Sequence, residues 1–193
     1  MKILATVFSL LIAGNAFAAL GDGTYSGMVQ LMTSKPNADS DAGSVDEEYS
    51  ATIGGGVRAL WGLNDSGLSL RSGLFLRQKD AKFEAGSVDF TLEYLYLSVP
   101  LTLHYMFATD GGTKAGIFGG AGADLLIDDD CDVDGATSCD YDDGNDVVVP
   151  LIIGFDLMFT EKWGMEVSYE HGLTEVDDDV KLNTFGLAGY YTF

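Results

Sequence analysis

Residues 182–193 read LNTFGLAGYYTF and constrain the fold more than any other part of the chain. Phe185, Leu187, Gly189, Tyr191 and Phe193 occupy one parity. Thr184, Gly186, Ala188, Tyr190 and Thr192, smaller or more polar on the whole, occupy the other. Alternation with this period predicts a strand with one apolar face. A strand carries open backbone groups on both edges and needs a neighbour on each. Pairing with the first strand of the chain would supply one of them and close the sheet into a barrel.

At the other end, Lys2 precedes an apolar run over residues 3–12, then Gly14, Asn15 and the small-x-small triplet Ala16, Phe17, Ala18. This layout predicts a secretory signal peptide, residues 1–18, and an exported barrel domain, residues 19–193. The run is shorter than the roughly 20 apolar residues of a spanning helix. With 25 Gly and 3 Pro, the composition suits strands and tight turns. A formal charge of -20 excludes nucleic acid as a partner, because phosphate binding needs a basic surface. Most of the 30 acidic residues fall in 34–48, 78–89, 128–146 and 173–181. These are alternate connections in the strand reading, so one mouth of the barrel is expected to be acidic.

Alternation predicts strands over 24–33, 49–63, 68–77, 90–107, 115–127, 147–159, 163–170 and 182–193, with long and short connections in turn. The fold class is therefore all-β, an eight-stranded antiparallel up-and-down transmembrane β-barrel. Pro100 conflicts with a strand interior and predicts a bulge or a missing ladder bond. Arg58, Arg71, Arg77, Asp124, Asp156, Glu166 and Glu170 share the minority parity with glycines, which suits a crowded polar interior and a lipid-facing apolar exterior. A soluble barrel would turn the apolar face inward instead. Trp61, Tyr105, Phe107, Phe159, Trp163, Tyr191 and Phe193 sit near the short-turn end on the apolar parity, as an interfacial belt would.

The stretches YLYLSVPLTLHYMF (94–107) and KAGIFGGAGADLL (114–126), with the terminal aromatic strand, resemble the PorT-like family of small outer-membrane β-barrel proteins. The resemblance implies an eight-stranded barrel in the outer membrane of a Gram-negative bacterium, with outer-membrane lipid as its surroundings. The terminal strand is similar to the signal read by the barrel-assembly machinery, with Tyr191 and Phe193 as its aromatic pair. Ala188 stands where that signal usually has glycine. The family resemblance carries no activity.

Several side chains are candidates for function. Arg58 and Arg71 flank one short turn and Asp156 and Glu166 another, at similar heights. They are expected to meet in the lumen, with Arg77 and Asp124 as a second layer, because a buried charge without a partner costs several kcal/mol. Cys131 and Cys139 are the two cysteines of an exported chain and are expected to form a disulfide. Asp130, Asp132, Asp134 and Gly135 reproduce the opening of a calcium loop, although Tyr141 stands where a bidentate Glu belongs. Calcium is the one cofactor the sequence raises. Ser168, Glu170 and His171 are the residues closest to a catalytic set, but Ser168 and Glu170 share a parity that His171 does not. The expected role is a non-enzymatic barrel with a plugged lumen and acidic extracellular loops for envelope structure or for surface and cation contacts. A small ion or solute channel is the alternative, and a lipid-modifying enzyme a more distant one.

Overall fold

The computed structural model describes residues 23–38, 46–85, 88–108, 112–133, 145–177 and 180–193. The predicted signal peptide lies outside them. Ten strand segments make up the wall: β1 (Thr24–Ala38), β2 (Asp46–Glu48), β3 (Ser50–Gly62), β4 (Leu68–Ala85), β5 (Val88–Ala108), β6 (Lys114–Val133), β7 (Val147–Val148), β8 (Pro150–Met158), β9 (Trp163–Gly172) and β10 (Val180–Thr192). β2 extends β3 along β4, and β7 precedes β8 along β6, so the segments form eight staves. Every pairing is antiparallel. The path runs β1–β3–β4–β5–β6–β8–β9–β10 and returns to β1. The closing ladder joins Ser26 to Thr192 at one end and Ala38 to Val180 at the other.

Two short turns show how the sequence reverses direction. Asn64 Oδ1 accepts hydrogen bonds from the backbone N–H groups of Ser66 (3.1 Å) and Leu68 (3.3 Å). Gly67, at φ 89°, completes that turn, and its carbonyl accepts from Met106 N at 3.0 Å. A Cβ here would lie 2.4 Å from Met106 O, so only glycine suits both the angle and the approach. At the β8–β9 turn, Thr160 Oγ1 accepts from Lys162 N and Trp163 N.

Side chains alternate across the wall as expected through the middle of the barrel. Leu31, Leu101, Leu103, Ile117, Ile153, Phe185 and Leu187 are exposed on the outer face, and Arg58, Asp124, Asp156 and Glu166 are buried on the inner one. A wall with apolar groups outside and charges inside is stable only where the outer solvent is lipid. At the short-turn end Trp163 packs edge-on against Tyr191, and Tyr191 against Phe193.

Three expected connections are shorter than the sequence reading had them, because β1 runs to Ala38, β4 to Ala85 and β6 to Val133, while β5 starts at Val88. The reason is an inversion of polarity along the same strands. Beyond Lys79 the inward positions become apolar, with Ala81, Phe83, Leu92, Tyr94 and Tyr96 joined by Val148, Val176 and Leu182 in one buried cluster. The outward positions become charged, with Lys82, Glu93, Asp130 and Asp132. Alternation continues with its sign reversed, as it must where the outer solvent changes from lipid to water. The irregularity expected at Pro100 is divided between the two edges of β5. On the β4 side the ladder omits Val99 and Pro100, and Ser72 Oγ donates to Pro100 O at 2.7 Å. On the β6 side Pro100 pairs with Gly122 in register, and the bulge lies at Leu95/Tyr96.

Candidate functional site in the barrel lumen

β3 and β4 carry the cations of the lumen, and β6, β8 and β9 carry the anions. Across the Asn64 turn Leu60 pairs with Arg71, so Arg58 lies one same-face rung away from it. On β8 and β9, across the lumen, Asp156 pairs directly with Glu166. Arg58 Nη1 donates to Asp156 Oδ2 (2.9 Å) and Glu166 Oε2 (3.3 Å). Arg71 Nη2 donates to both Glu166 oxygens, at 2.8 and 3.0 Å. Tyr190 OH donates to the second Asp156 oxygen at 2.6 Å, and His104 Nε2 lies 3.4 Å from the first.

Aromatic rings hold both guanidinium groups from behind. Arg58 lies 3.8 Å from the centroid of Tyr190, and Arg71 3.8 Å from that of Phe118. Such cation–π contacts are strongest where water is excluded. Each ring occupies space opened by a glycine on the neighbouring strand: a Cβ on Gly164 would lie 2.2 Å from the Tyr190 ring, and one on Gly154 would lie 2.1 Å from the Phe118 ring. The inward glycines are thus the other half of the ion-pair layer.

A second layer lies toward the far mouth, with a pairing that differs from the expected one. Arg77 bonds to Glu170, not to Asp124. Asp124 instead accepts from Lys79 Nζ at 2.7 Å, and Lys79 also reaches Glu170 at 2.7 Å. Lys79 lies beyond the strand that alternation predicts over 68–77. Its place two residues beyond Arg77, on the parity of Arg71 and Arg77, was the available signal. Among the described residues the lumen thus holds four cations, Arg58, Arg71, Arg77 and Lys79, and four anions, Asp124, Asp156, Glu166 and Glu170, all buried. The apolar cluster built from Phe83, Tyr94 and Tyr96 lies above them.

The remaining candidates fall elsewhere. Asp130 and Asp132 lie on β6, exposed on the outer face and paired across to Glu93 and Thr91. An extended ladder is not the convergent turn on which the calcium-loop reading rests. Asp134 lies outside the described residues, and among those described no group of three or more acidic, His or Cys side chains could hold a metal. Cys131 is on β6 and Cys139 lies outside the described residues. Ser168 faces inward, where it accepts from Gln30 Nε2 at 3.2 Å. His171 is exposed on the outside, with Nδ1 2.7 Å from Asn183 Oδ1.

Residues 3–193 match the outer membrane protein beta-barrel domain family. The chain belongs to that family. This outer-membrane barrel resembles Neisserial surface protein A (NspA) at 15% identity and a TM-score of 0.54, covering 90% of this chain and 100% of that one. It also resembles Ail, the attachment invasion locus protein of Yersinia pestis, solved with the heparin analogue sucrose octasulfate, at 13% identity and a TM-score of 0.50, over 90% and 100% of the two chains. At these identities the likeness is one of fold. The outer membrane enzyme PagL, at 16% identity, TM-score 0.43, and 84% and 97% coverage, is among the similar structures too. No curated protein matches the chain.

Proposed function

We propose that this protein is a non-enzymatic integral barrel of the outer membrane whose lumen is plugged by its own paired charges. In this reading it serves envelope structure and presents acidic strand extensions and loops outward for surface or cation contacts. The observation that carries it is the match of four buried cations to four buried anions beneath an apolar cap. An eight-stranded barrel has room for little beyond its own side chains. Ion pairs in that space remove the fixed charge a conducting pathway would use. Planar-bilayer recordings are expected to show no steady conductance, and a steady, large conductance of the wild-type protein would sink the reading.

A second reading, a narrow leak for water or small ions, draws on Nε and Nη2 of Arg58, Nε and Nη1 of Arg71 and Nε of Arg77. These find no acceptor among the described residues. Donors of this kind favour a hydrated lumen over a dry one. Catalysis is disfavoured because the barrel wall separates Ser168 from His171. The narrower PorT-like assignment rests on residues 94–107 and 114–126, and belongs with this proposal.

A further inference from the structure

The outward lysines are unevenly placed. Lys114 and Lys162 lie at the short-turn end, and Lys82 is tied to Glu48 and Asp89. Lys35 and Lys181 share the outer face of β1 and β10 at the opposite rim. Lys35, Asn183 and His171 form one rung across β1, β10 and β9, and the next same-face rung brings Asn37 beside Lys181. The rung below is Thr33, Phe185 and Tyr169, whose two rings are 51% and 42% exposed. Thr33, Lys35, Tyr49, Tyr169, Asn183 and Phe185 line a recess of ≈ 490 Å³. Its floor is aromatic and its rim carries hydrogen-bond donors.

The strands fix the height of that rim. His171 is eight positions from Trp163, Asn183 is eight from Tyr191, and Lys35 is eight from Gly27, the cross-strand partner of Tyr191. At about 3.3 Å per residue and a tilt of about 45°, this spans on the order of 20 Å, close to the height of a barrel's apolar band. The rim therefore stands at the outer headgroup level.

Its chemistry is that of an anion receptor. Asn183 Oδ1 can only accept, so His171 Nδ1 carries the proton of their 2.7 Å bond. That leaves the Asn183 amide N–H groups as donors, with no acceptor among the described residues. Lys35 Nζ is 3.5 Å from Glu47 Oε2 and half-exposed, and among the described residues this is the one ion pair of a rim that holds two lysines. The β4–β6 wall is the opposite case, with Asp80, Glu93 and Asp130 on one rung across its three strands. For a phosphate approaching a chain of charge -20, the β9–β10–β1 face is the receptive side.

We propose that this face binds a phosphorylated lipid of the outer leaflet. Lys35 and Lys181 hold the headgroup phosphate, Asn183 donates to it with its amide oriented by His171, and an acyl chain lies over Phe185 and Tyr169. The test reconstitutes the full barrel in phosphatidylcholine vesicles carrying either lipid A or its dephosphorylated form, and counts retained lipid by native mass spectrometry after mild extraction. Lipid A is expected to be retained over the dephosphorylated form. A Lys35→Gln/Lys181→Gln variant should lose roughly thirtyfold of that retention, consistent with about 1 kcal/mol per basic residue near an anionic surface. Lys82→Gln, on the other wall, should lose none. Heat-modifiable migration verifies the barrel in each case, and should the double variant not fold, Lys181→Gln alone is read in the same way. Equal retention of the two lipids, or full retention by the folded lysine variant, would overturn the proposal.

Discussion

The interior of this barrel has two halves that solve the same packing problem with opposite chemistry. Within the membrane span it is filled by ion pairs backed by Tyr190 and Phe118, and beyond Lys79 by Phe83, Leu92, Tyr94 and Tyr96. The difference follows the outer solvent. Where lipid takes the apolar side chains, the polar ones must turn inward and find partners; where water takes the charges, the apolar ones can form an ordinary core. Direction around the wall stays constant while polarity inverts, so the inversion marks the membrane boundary on the protein itself.

The comparison would break most visibly at Glu166, which bonds to both Arg58 and Arg71. Glu166→Ala leaves Arg71 without a carboxylate and is expected to cost about 3–5 kcal/mol, the usual range for removing one partner of a buried pair. Urea unfolding in vesicles reads this, and an unchanged midpoint would mean that the charged half contributes no stability. Tyr94→Ala, in the apolar half, should cost about 3 kcal/mol through cavity formation. Its effect should be local, with hydrogen exchange rising in the outer parts of β4–β6 while the membrane span stays protected. Asp124→Asn is milder, about 1–2 kcal/mol, because Lys79 keeps its bond to Glu170. A larger loss would show that Asp124 also holds Arg77.

The smallest expected effect concerns pH in the outer half. Burial raises the Asp80 carboxyl above 3.8, against hydrogen bonds from Ser50 and Gln78. Partial burial and then the charges of Asp80, Asp130 and Asp132 raise Glu93 above 4.5. For acids whose folded values exceed their unfolded ones, the stabilising contribution is complete below the unfolded values and disappears as pH rises through the folded ones. Acidification from neutral toward pH 4 should therefore tighten this region, seen as slower corrected amide exchange around residues 89–95. Glu48 works the other way, because Lys82 holds its carboxyl below 4.5. An Asp80→Asn/Glu93→Gln variant isolates the effect, and an undiminished acid response there would assign it to other groups.

Alternation alone placed Arg58, Arg71, Asp156 and Glu166 on one face, since parity is conserved along a strand and the short turns fix relative height. Lys79 escapes that reading because the apolar outer face of β4 stops at Leu76 while the strand itself continues to Ala85. The outer parts of β4 and β6 escape it for the same reason: a reversed alternation with aspartates outside resembles a polar loop. The exchange of partners between Arg77 and Asp124 depends on stagger between strands distant in sequence, which no local pattern reports. The roles of Gly154 and Gly164 become visible only when the rings of Phe118 and Tyr190 are placed beside them.

The seam between β1 and β10 bears on how such a chain reaches its shape. Ser26 Oγ and Thr192 Oγ1 meet at 2.9 Å across 166 positions of sequence, and the whole ladder beside them joins residues almost as remote. Contacts of this separation return nothing until the intervening loop has been ordered, which slows folding in proportion to contact order. A half-made wall would have two bare edges in lipid, each group on them costing several kcal/mol. Closure is therefore close to all-or-none, and the eight staves stand or fall together.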